Sequence, residues 1–252
     1  MPNVWDVLVV VGFAVVLSMW SHFVSWPRHV RAVDAGDAHA RSRIYLRTLI
    51  EEWAFALAAL GLSIANHRSL SDLWLAPPVG WRAWIGFALP IVYVALMLVQ
   101  GRAIAASPKT LTRLRERIQP LRALVPHTSA EYRMFVPLAV TAGIREEFLF
   151  RGYLVWVLAF WMGVVPAAIV SMVVFGLAHG YQGGQFGLRA AGVGVALGIL
   201  ALVTRSVLPG MLVHAAIDLS SGWITYAAMS RGAQPSASGA PAPEGVGHVG
   251  AA

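Results

Sequence analysis

Six ionisable side chains lie inside apolar stretches in the second half of the chain. They are Glu146, Glu147, Arg151, His179, His214 and Asp218. A charged group at the centre of a bilayer costs at least about 2.5 to 3.5 kcal/mol, so such residues are rare in membrane-spanning helices and usually mark a functional site or an ion pathway. Carboxylates and imidazoles transfer protons in general acid–base catalysis and bind catalytic metal ions. The sequence therefore predicts a shared site for one of these two chemistries.

The first motif contains a carboxylate without a good local partner. Glu147 and Arg151 are four residues apart, in the order that favours an ion pair on one helix face. Glu146 lies about 100° around the helix and has only the neighbouring Arg145 beside it. We expect Glu146 to face a wet cavity as a general base or a ligand. The alternative is that the motif is an ion-pair network that fixes the register of the helix.

The other two motifs contain imidazoles. His179 ends an apolar run, and Phe175 lies four residues earlier on the same face, where its ring would form a wall beside the imidazole. His214 and Asp218 are also four residues apart and point to one side. They are either two metal ligands or two polar groups around a developing oxyanion. Taken singly, each of these residues is more often structural than catalytic.

The depth of the three motifs favours one shared site. Glu146, His179 and Asp218 lie ~18, ~20 and ~17 Å from the start of their apolar runs, at ~1.5 Å per helical residue. All three depths fall in the middle part of a hydrocarbon core of ~30 Å. Small residues on the neighbouring helices would allow the close approach that a shared site requires. These are Gly176, Gly192, Gly194 and Gly198.

The composition indicates that membrane-spanning helices position these residues. The chain has 252 residues, 58% hydrophobic and 12% charged, with a mean hydropathy of +0.65, whereas soluble domains have roughly 25% charged residues. A spanning helix needs about 20 apolar residues. The apolar runs are 7–26, 53–65, 83–99, 134–161, 166–178, 190–203 and 207–229. We therefore predict an all-α, polytopic transmembrane helical bundle of about seven spans, within a range of six to eight.

Positive charge is concentrated in two loops. The net charge is +7, and most of the lysine and arginine residues lie in 27–47 and 101–133. They form no basic face for nucleic acid, and the positive-inside rule places both loops in the cytoplasm and the N-terminus outside. The second loop contains apolar residues at helical spacing, which predict either an amphipathic helix on the inner leaflet or a solvated loop helix. These are Leu111, Leu114, Ile118 and Leu121.

The chain is predicted to be one membrane domain, 1–230, with its chemistry in a core of about 134–225. The first apolar run is too long for a signal peptide and is expected to be a retained helix. Glu51 and Glu52 lack an arginine four residues on and are expected to be a solvated helix start. Residues 231–252 are rich in Ala, Gly, Pro and Ser and are predicted to be disordered. The absence of cysteine excludes thiol catalysis and disulfides.

The three motifs resemble those of the CAAX protease and bacteriocin-processing (CPBP or Abi) family, intramembrane endopeptidases that include Rce1-like enzymes. That family is marked by Glu-Glu-x-x-x-Arg, Phe-x-x-x-His and His-x-x-x-Asn or Asp motifs on successive helices. The corresponding residues here are Glu146, Glu147 and Arg151, then Phe175 and His179, then His214 and Asp218. The resemblance covers residues 134 to 225 by motif and the earlier helices only by general character.

The resemblance implies hydrolysis of a peptide bond in a membrane-associated protein or peptide. Glu146 and His179 would activate water, and His214 and Asp218 would stabilise the oxyanion. This glutamic mechanism, which needs no cofactor, is favoured. A metal-dependent version of the same protease stays open because a charged Asp218 would repel an oxyanion unless it were protonated or paired. In that version zinc would be bound by Glu146, His179, His214 and Asp218.

Two further functions remain as alternatives. A non-catalytic relative, such as a bacteriocin-immunity or scaffold protein, would keep the fold, but it would have no need for the full set of motif residues. A transporter would use the same charges as a proton relay, but the sequence has no paired halves. The expected partners are a membrane protein or peptide substrate and the lipid bilayer, without nucleic acid. The arginine-rich loops suit a bacterial cytoplasmic membrane, with the chain as a multi-pass protein of the cell membrane.

Overall fold

The structure, a computed structural model, describes residues 1–231, and this part of the chain forms helices and turns without a β-strand. The helices are α1 (Val4–Asp34), α2 (Ala40–Ala65), α3 (Trp81–Ala106), α4 (Pro108–Arg117), α5 (Ser129–Glu146), α6 (Val155–Met162), α7 (Val164–Ala178), α8 (Gly184–Thr204) and α9 (Leu208–Arg231). A π-helical segment, Glu147–Leu154, joins α5 to α6, and a 3₁₀ turn, Gly180–Gln182, follows α7. Apart from Arg231, which ends α9, the tail predicted to be disordered lies outside the described residues.

The predicted all-α membrane bundle is confirmed, and the chain is a multi-pass membrane protein. Among residues 1–231, five helices are long and apolar enough to cross a membrane: α1, α2, α3, α7 with its 3₁₀ turn, and α8. Two further long helical segments, 129–162 and α9, contain Glu146 and His214 with their motifs. The described residues thus contain seven long helical segments, of which five have the length and apolarity of a membrane span. Five of the six polar motif residues therefore lie on the other two segments, whereas His179 lies on one of the five apolar helices.

The start of α5, the helix that ends in Glu146, is fixed by a capping box. The Thr128 hydroxyl accepts a hydrogen bond from the Glu131 backbone N–H at 3.2 Å, and the Glu131 carboxylate accepts one from the Thr128 N–H at 3.1 Å. Such reciprocal caps satisfy two of the backbone donors that a helix leaves free at its first turn. Arg41 of α2 forms an ion pair with Glu131 at 3.3 Å. Helix α5 is thus tied to α2 at its first turn.

Helices α5 and α9 pack closely against each other at a glycine. A Cβ atom on Gly143 would lie 2.5 Å from the backbone nitrogen of Ala215 and 3.0 Å from its Cβ. No side chain longer than a hydrogen atom fits at that distance without moving a backbone. Gly143 and Ala215 are the near neighbours of Glu146 and His214, so this contact sets the separation of the two motifs.

Helices α7 and α8 also pack closely through small residues. Three of the four glycines predicted to allow close packing lie at these contacts. A Cβ on Gly176 would lie 2.9 Å from the Cβ of Ala191, and a Cβ on Gly194 would lie 2.5 Å from the Phe175 ring. Gly198 contacts Met172 in the same way. Gly192 faces open space, with nothing within 4 Å of its would-be Cβ, so its predicted role in close packing is wrong.

Helix α4 packs on the protein, which neither of the two sequence-based interpretations predicts. Leu111 and Ile118 are buried, and they form one apolar cluster with Val125 and with the end of α9 at 227–229. Leu114 and Leu121 pack at the edge of this cluster. The helical spacing of these residues is real, but their apolar face is covered by α9 rather than by lipid headgroups or solvent.

Polar contacts tie the two ends of the bundle. At one end, Arg68 donates two hydrogen bonds to Asp6, at 2.7 and 2.5 Å, and Tyr153 donates a third at 2.5 Å. At the other end, Arg122 pairs with Asp34 at 2.7 Å, so the two arginine-rich loops contact each other. The two loops therefore meet at the same end of the bundle.

Candidate active site

Glu146 and Glu147 lie where the helix changes its winding. Glu146 is the last residue of α5, and Glu147 is the first residue of the π-helical segment. All eight residues of that segment are buried. π-Helical turns are rare and occur often at functional sites. The two adjacent carboxylates lie in different surroundings. Glu147 accepts hydrogen bonds from Arg151 and His214, whereas Glu146 Oε2 accepts none from the described residues.

Glu147 is the centre of a buried polar network. Its Oε1 atom accepts hydrogen bonds from Arg151 Nη1 at 3.0 Å and from His214 Nδ1 at 2.9 Å. Arg151 also donates to the backbone oxygen of Gly194 at 2.9 Å, and its guanidinium lies 4.0 Å from the Phe175 ring centre. This network joins the π segment to α7, α8 and α9. The predicted Glu147–Arg151 pair is therefore confirmed.

The contact with Glu147 fixes the tautomer of His214. An ionised carboxylate only accepts hydrogen bonds, and Arg151 donates one to Glu147. The proton of the His214 ring is therefore on Nδ1, and Nε2 points the other way, 3.9 Å from Glu146 Oε2 and 3.7 Å from Asp218 Oδ2. Orienting an imidazole through its second nitrogen is the arrangement that active sites commonly use.

His179 is oriented in the same manner by the backbone. It caps the C-terminus of α7, and its Nδ1 lies 2.9 Å from the carbonyl oxygen of Phe175, which only accepts hydrogen bonds. The imidazole packs against the Phe175 ring with a centroid distance of 4.3 Å and an angle of 32° between the ring planes, so Phe175 forms a wall beside it, as the sequence predicts. Its Nε2 is consequently free of a proton in the neutral ring and lies 3.7 Å from Glu146 Oε2.

Glu146 has a buried carboxylate oxygen that faces both imidazoles. Its Oε2 atom accepts no hydrogen bond from any group in the described part of the chain. Separations of 3.7 and 3.9 Å are too long for direct hydrogen bonds, but they suit a water molecule that contacts both groups. A buried acceptor without a partner is costly and calls for a specific explanation. Here the explanation is a polar pocket between Glu146, His179 and His214.

Asp218 lies at the edge of this group. Its side chain is 34% exposed, and its nearest ionic contact is His214. The structure therefore brings the predicted residues together around Glu146, with Asp218 on the outer side and Glu147, Arg151 and Phe175 behind the imidazoles. The shared depth inferred from the sequence places them correctly relative to one another.

The group opens into a cavity of ≈ 640 Å³ between α1, α2, α5, α7, α8 and α9. Glu146, His179, His214 and Asp218 line one part of it, and apolar side chains line most of the rest. Three serines on one side of α1 face the same space: Ser18, Ser21 and Ser25. A pocket of this size, mostly apolar with a few converging polar groups, is typical of a binding site for a ligand or substrate.

Sequence reasoning missed one residue of the cavity wall and its ion-pair partner. Glu52, expected to be a solvated helix start, lines the cavity and forms an ion pair with Arg145, whose side chain is fully buried. The expectation for Glu52 is therefore wrong, because its partner is on another helix. One signal was available: Arg145 lies in an apolar run and has no acidic residue three or four positions away.

A catalytic zinc ion is bound by several histidine, aspartate or glutamate side chains that converge on one point. Among residues 1–231, no three or more histidine, aspartate and glutamate side chains are placed so as to hold one metal ion. Of the four residues expected as zinc ligands, Asp218 lies 3.7 Å from His214 Nε2. Glu146 Oε2 lies 3.7 Å from His179 Nε2 and 3.9 Å from His214 Nε2.

Comparison with protein families gives a match over the part of the chain that contains the site. Residues 128–220 match the family of type II CAAX prenyl endopeptidases that is described as Rce1-like. The matched range covers less than half of the chain but includes α5 to α8, half of α9 and every motif residue. No curated protein and no solved structure matches the chain. The predicted resemblance is confirmed over residues 128–220, which are similar to this family of proteases.

Proposed function

We propose that the protein is an intramembrane endopeptidase in which Glu146 and His179 activate a water molecule. The observation that carries the proposal is the unpartnered, buried Glu146 Oε2 atom at 3.7 Å from His179 Nε2. Both atoms are hydrogen-bond acceptors when His179 is neutral. A water that donates to both would keep its lone pairs free to attack a carbonyl carbon. Glu146 takes the proton in the attack and returns it to the leaving amine.

His214 and Asp218 act on the oxyanion in this proposal. Since Nδ1 of His214 donates to Glu147, Nε2 can donate to an oxyanion only when the ring is protonated on both nitrogens. A charged Asp218 would repel the oxyanion if it had no partner. When the His214 ring is protonated, the Asp218 carboxylate pairs with it at 3.7 Å. A well-placed oxyanion donor contributes roughly 10² to 10³ in rate.

Glu147, Arg151 and Phe175 hold the two imidazoles in place. Glu147 orients His214, Arg151 balances the charge of Glu147, and Phe175 supports the ring of His179 on its face while its carbonyl oxygen holds Nδ1. Catalytic groups need supports of this kind because a misplacement of about 1 Å costs up to 10²-fold in rate.

The proposed substrate is a membrane-inserted or membrane-proximal peptide. The cavity is largely apolar away from the site and lies within the bundle, which supports entry of an apolar segment. The family's name adds prenylated CAAX peptides to the candidates to be assayed. We place the protein in a cell membrane with loops 27–47 and 101–133 in the cytoplasm, which their contact at one end of the bundle supports.

The experiment compares wild type with Glu146→Ala and Glu146→Gln in proteoliposomes. A library of transmembrane and prenylated C-terminal peptides is assayed by mass spectrometry, with and without a strong chelator. Cleavage by wild type that both variants lose, and that the chelator leaves unchanged, supports the proposal. Loss of cleavage with the chelator would show a metal-dependent protease instead. Equal cleavage by wild type and both variants would reject Glu146 as the base.

A further inference from the structure

The Glu52–Arg145 ion pair lies outside the three motifs, yet it borders the same cavity as Glu146. Glu52 is on α2, and Arg145 is on the last turn of α5. The Arg145 side chain is completely buried, while 21% of the Glu52 side chain is exposed in the cavity wall. A buried ion pair between two helices that carries no assigned function needs a physical explanation.

Arg145 depends on Glu52 for its charge balance. Its Nε atom donates to the backbone oxygen of Thr141 at 2.9 Å, whereas Nη1 and Nη2 are buried and form no hydrogen bond within the described residues. The ring of Trp53, 6.0 Å from the guanidinium, adds only a weak contact. The Glu52 carboxylate is the group that compensates the buried positive charge.

Arg145 is also the immediate neighbour of Glu146 in sequence. Side chains of consecutive helical residues point about 100° apart, so Glu52 keeps the guanidinium on the α2 side while Glu146 faces the imidazoles. If the Glu52 charge were absent, the adjacent Glu146 would offer the guanidinium a carboxylate, because its Oε2 accepts no hydrogen bond from the described residues. The long arginine side chain would then turn toward it.

We propose that Glu52 is a positioning residue that holds the Arg145 guanidinium away from Glu146 and so keeps Glu146 free to act on water. This inference rests on the proposed function of Glu146. An ion pair between Arg145 and Glu146 would occupy the carboxylate oxygen that the water needs. It would leave the remainder of the cavity, and hence the binding of the substrate, largely unchanged.

The test is the rate of cleavage by Glu52→Gln in proteoliposomes, on a peptide that wild type cleaves. We expect kcat to fall about tenfold or more, out of the roughly 10² to 10⁴ that a general base contributes, while KM changes little. The Glu52→Gln/Arg145→Gln double variant should recover most of the lost kcat, because no cation remains to capture Glu146. Glu52→Asp, which keeps the charge, should stay close to wild type.

The matched control is Glu51→Gln, one residue earlier. Glu51 pairs with Arg47 in an i, i+4 contact at 3.2 Å that is partly exposed and does not involve Arg145, so this control should leave kcat and KM as in wild type. Equal kcat for Glu52→Gln and Glu51→Gln would overturn the inference. So would a double variant that is as slow as Glu52→Gln, since that result would indicate a purely structural pair.

Failure of Glu52→Gln to fold and failure of the proposed function of Glu146 can be distinguished from failure of this inference. If Glu52→Gln does not fold, as thermal unfolding in detergent would show, the double variant decides alone: near-wild-type kcat supports the inference and strong loss of kcat overturns it. If Glu146→Ala cleaves as fast as wild type, the proposed function fails, and that result is independent of any Glu52 variant.

Discussion

Replacing Gly143 with alanine tests whether the close contact of α5 and α9 sets the geometry of the site. The new Cβ would lie 2.5 Å from the backbone nitrogen of Ala215, where an ordinary contact needs at least about 3.4 Å. The helices must therefore separate by about 1 Å, because backbone atoms block the space. Overpacking of this kind costs about 1–3 kcal/mol in stability. Moving Glu146 relative to His214 by about 1 Å predicts a loss of up to 10²-fold in kcat.

The assay is peptide cleavage in proteoliposomes together with thermal unfolding in detergent. Gly192→Ala is the matched control, since the same change on α8 meets nothing within 4 Å and should leave both quantities unchanged or raise stability slightly. The reasoning is refuted if Gly143→Ala unfolds and cleaves like Gly192→Ala. A loss of stability with kcat unchanged would refute only the link between this contact and the site.

Three further predictions concern stability. Arg151→Met should destabilise the protein by about 3–5 kcal/mol, because it leaves Glu147 as a buried charge without its cation; a change in thermal unfolding below about 1 kcal/mol would contradict this. Asp6→Asn should lower the stability by a similar amount, because the pair with Arg68 is lost, but it should leave the cleavage rate unchanged. A slower rate would show that the Asp6 contacts are coupled to the Glu147 network. Burial lowers the pKa of His127, so the folded state resists its protonation and stability should fall as the pH drops below the unfolded pKa of about 6.5. His127→Gln should reduce that fall in unfolding temperature between about pH 7 and 5, and an unchanged slope would exclude His127 as its cause.

The motif residues were predictable because their signals are local. The spacing of Glu147 and Arg151, and of Phe175 and His179, puts each pair on one helix face, and the structure shows both contacts. The relative depth expected for Glu146, His179 and Asp218 follows from helical rise. Both properties depend on residue spacing within a single helix, so they can be predicted from the sequence.

Partners on other helices were not predictable in the same way. Nothing near Glu52 in the sequence indicates Arg145, since the pair joins helices almost 100 residues apart. The cover of α4 by the end of α9 is likewise a tertiary contact, which the amphipathic pattern of α4 leaves open. Gly192 and Gly194 are both glycines in the same apolar run, but only the structure shows which of them faces a neighbouring helix.

The most direct measurement is kcat for the cleavage of one membrane peptide by Glu146→Gln, with Glu51→Gln as the control. Glutamine keeps the size of the side chain and removes its ability to take a proton. We predict that Glu146→Gln loses roughly 10² to 10⁴ in kcat, the contribution of a general base, while Glu51→Gln cleaves like wild type. Cleavage by Glu146→Gln at the wild-type rate would contradict the central claim that Glu146 activates the water.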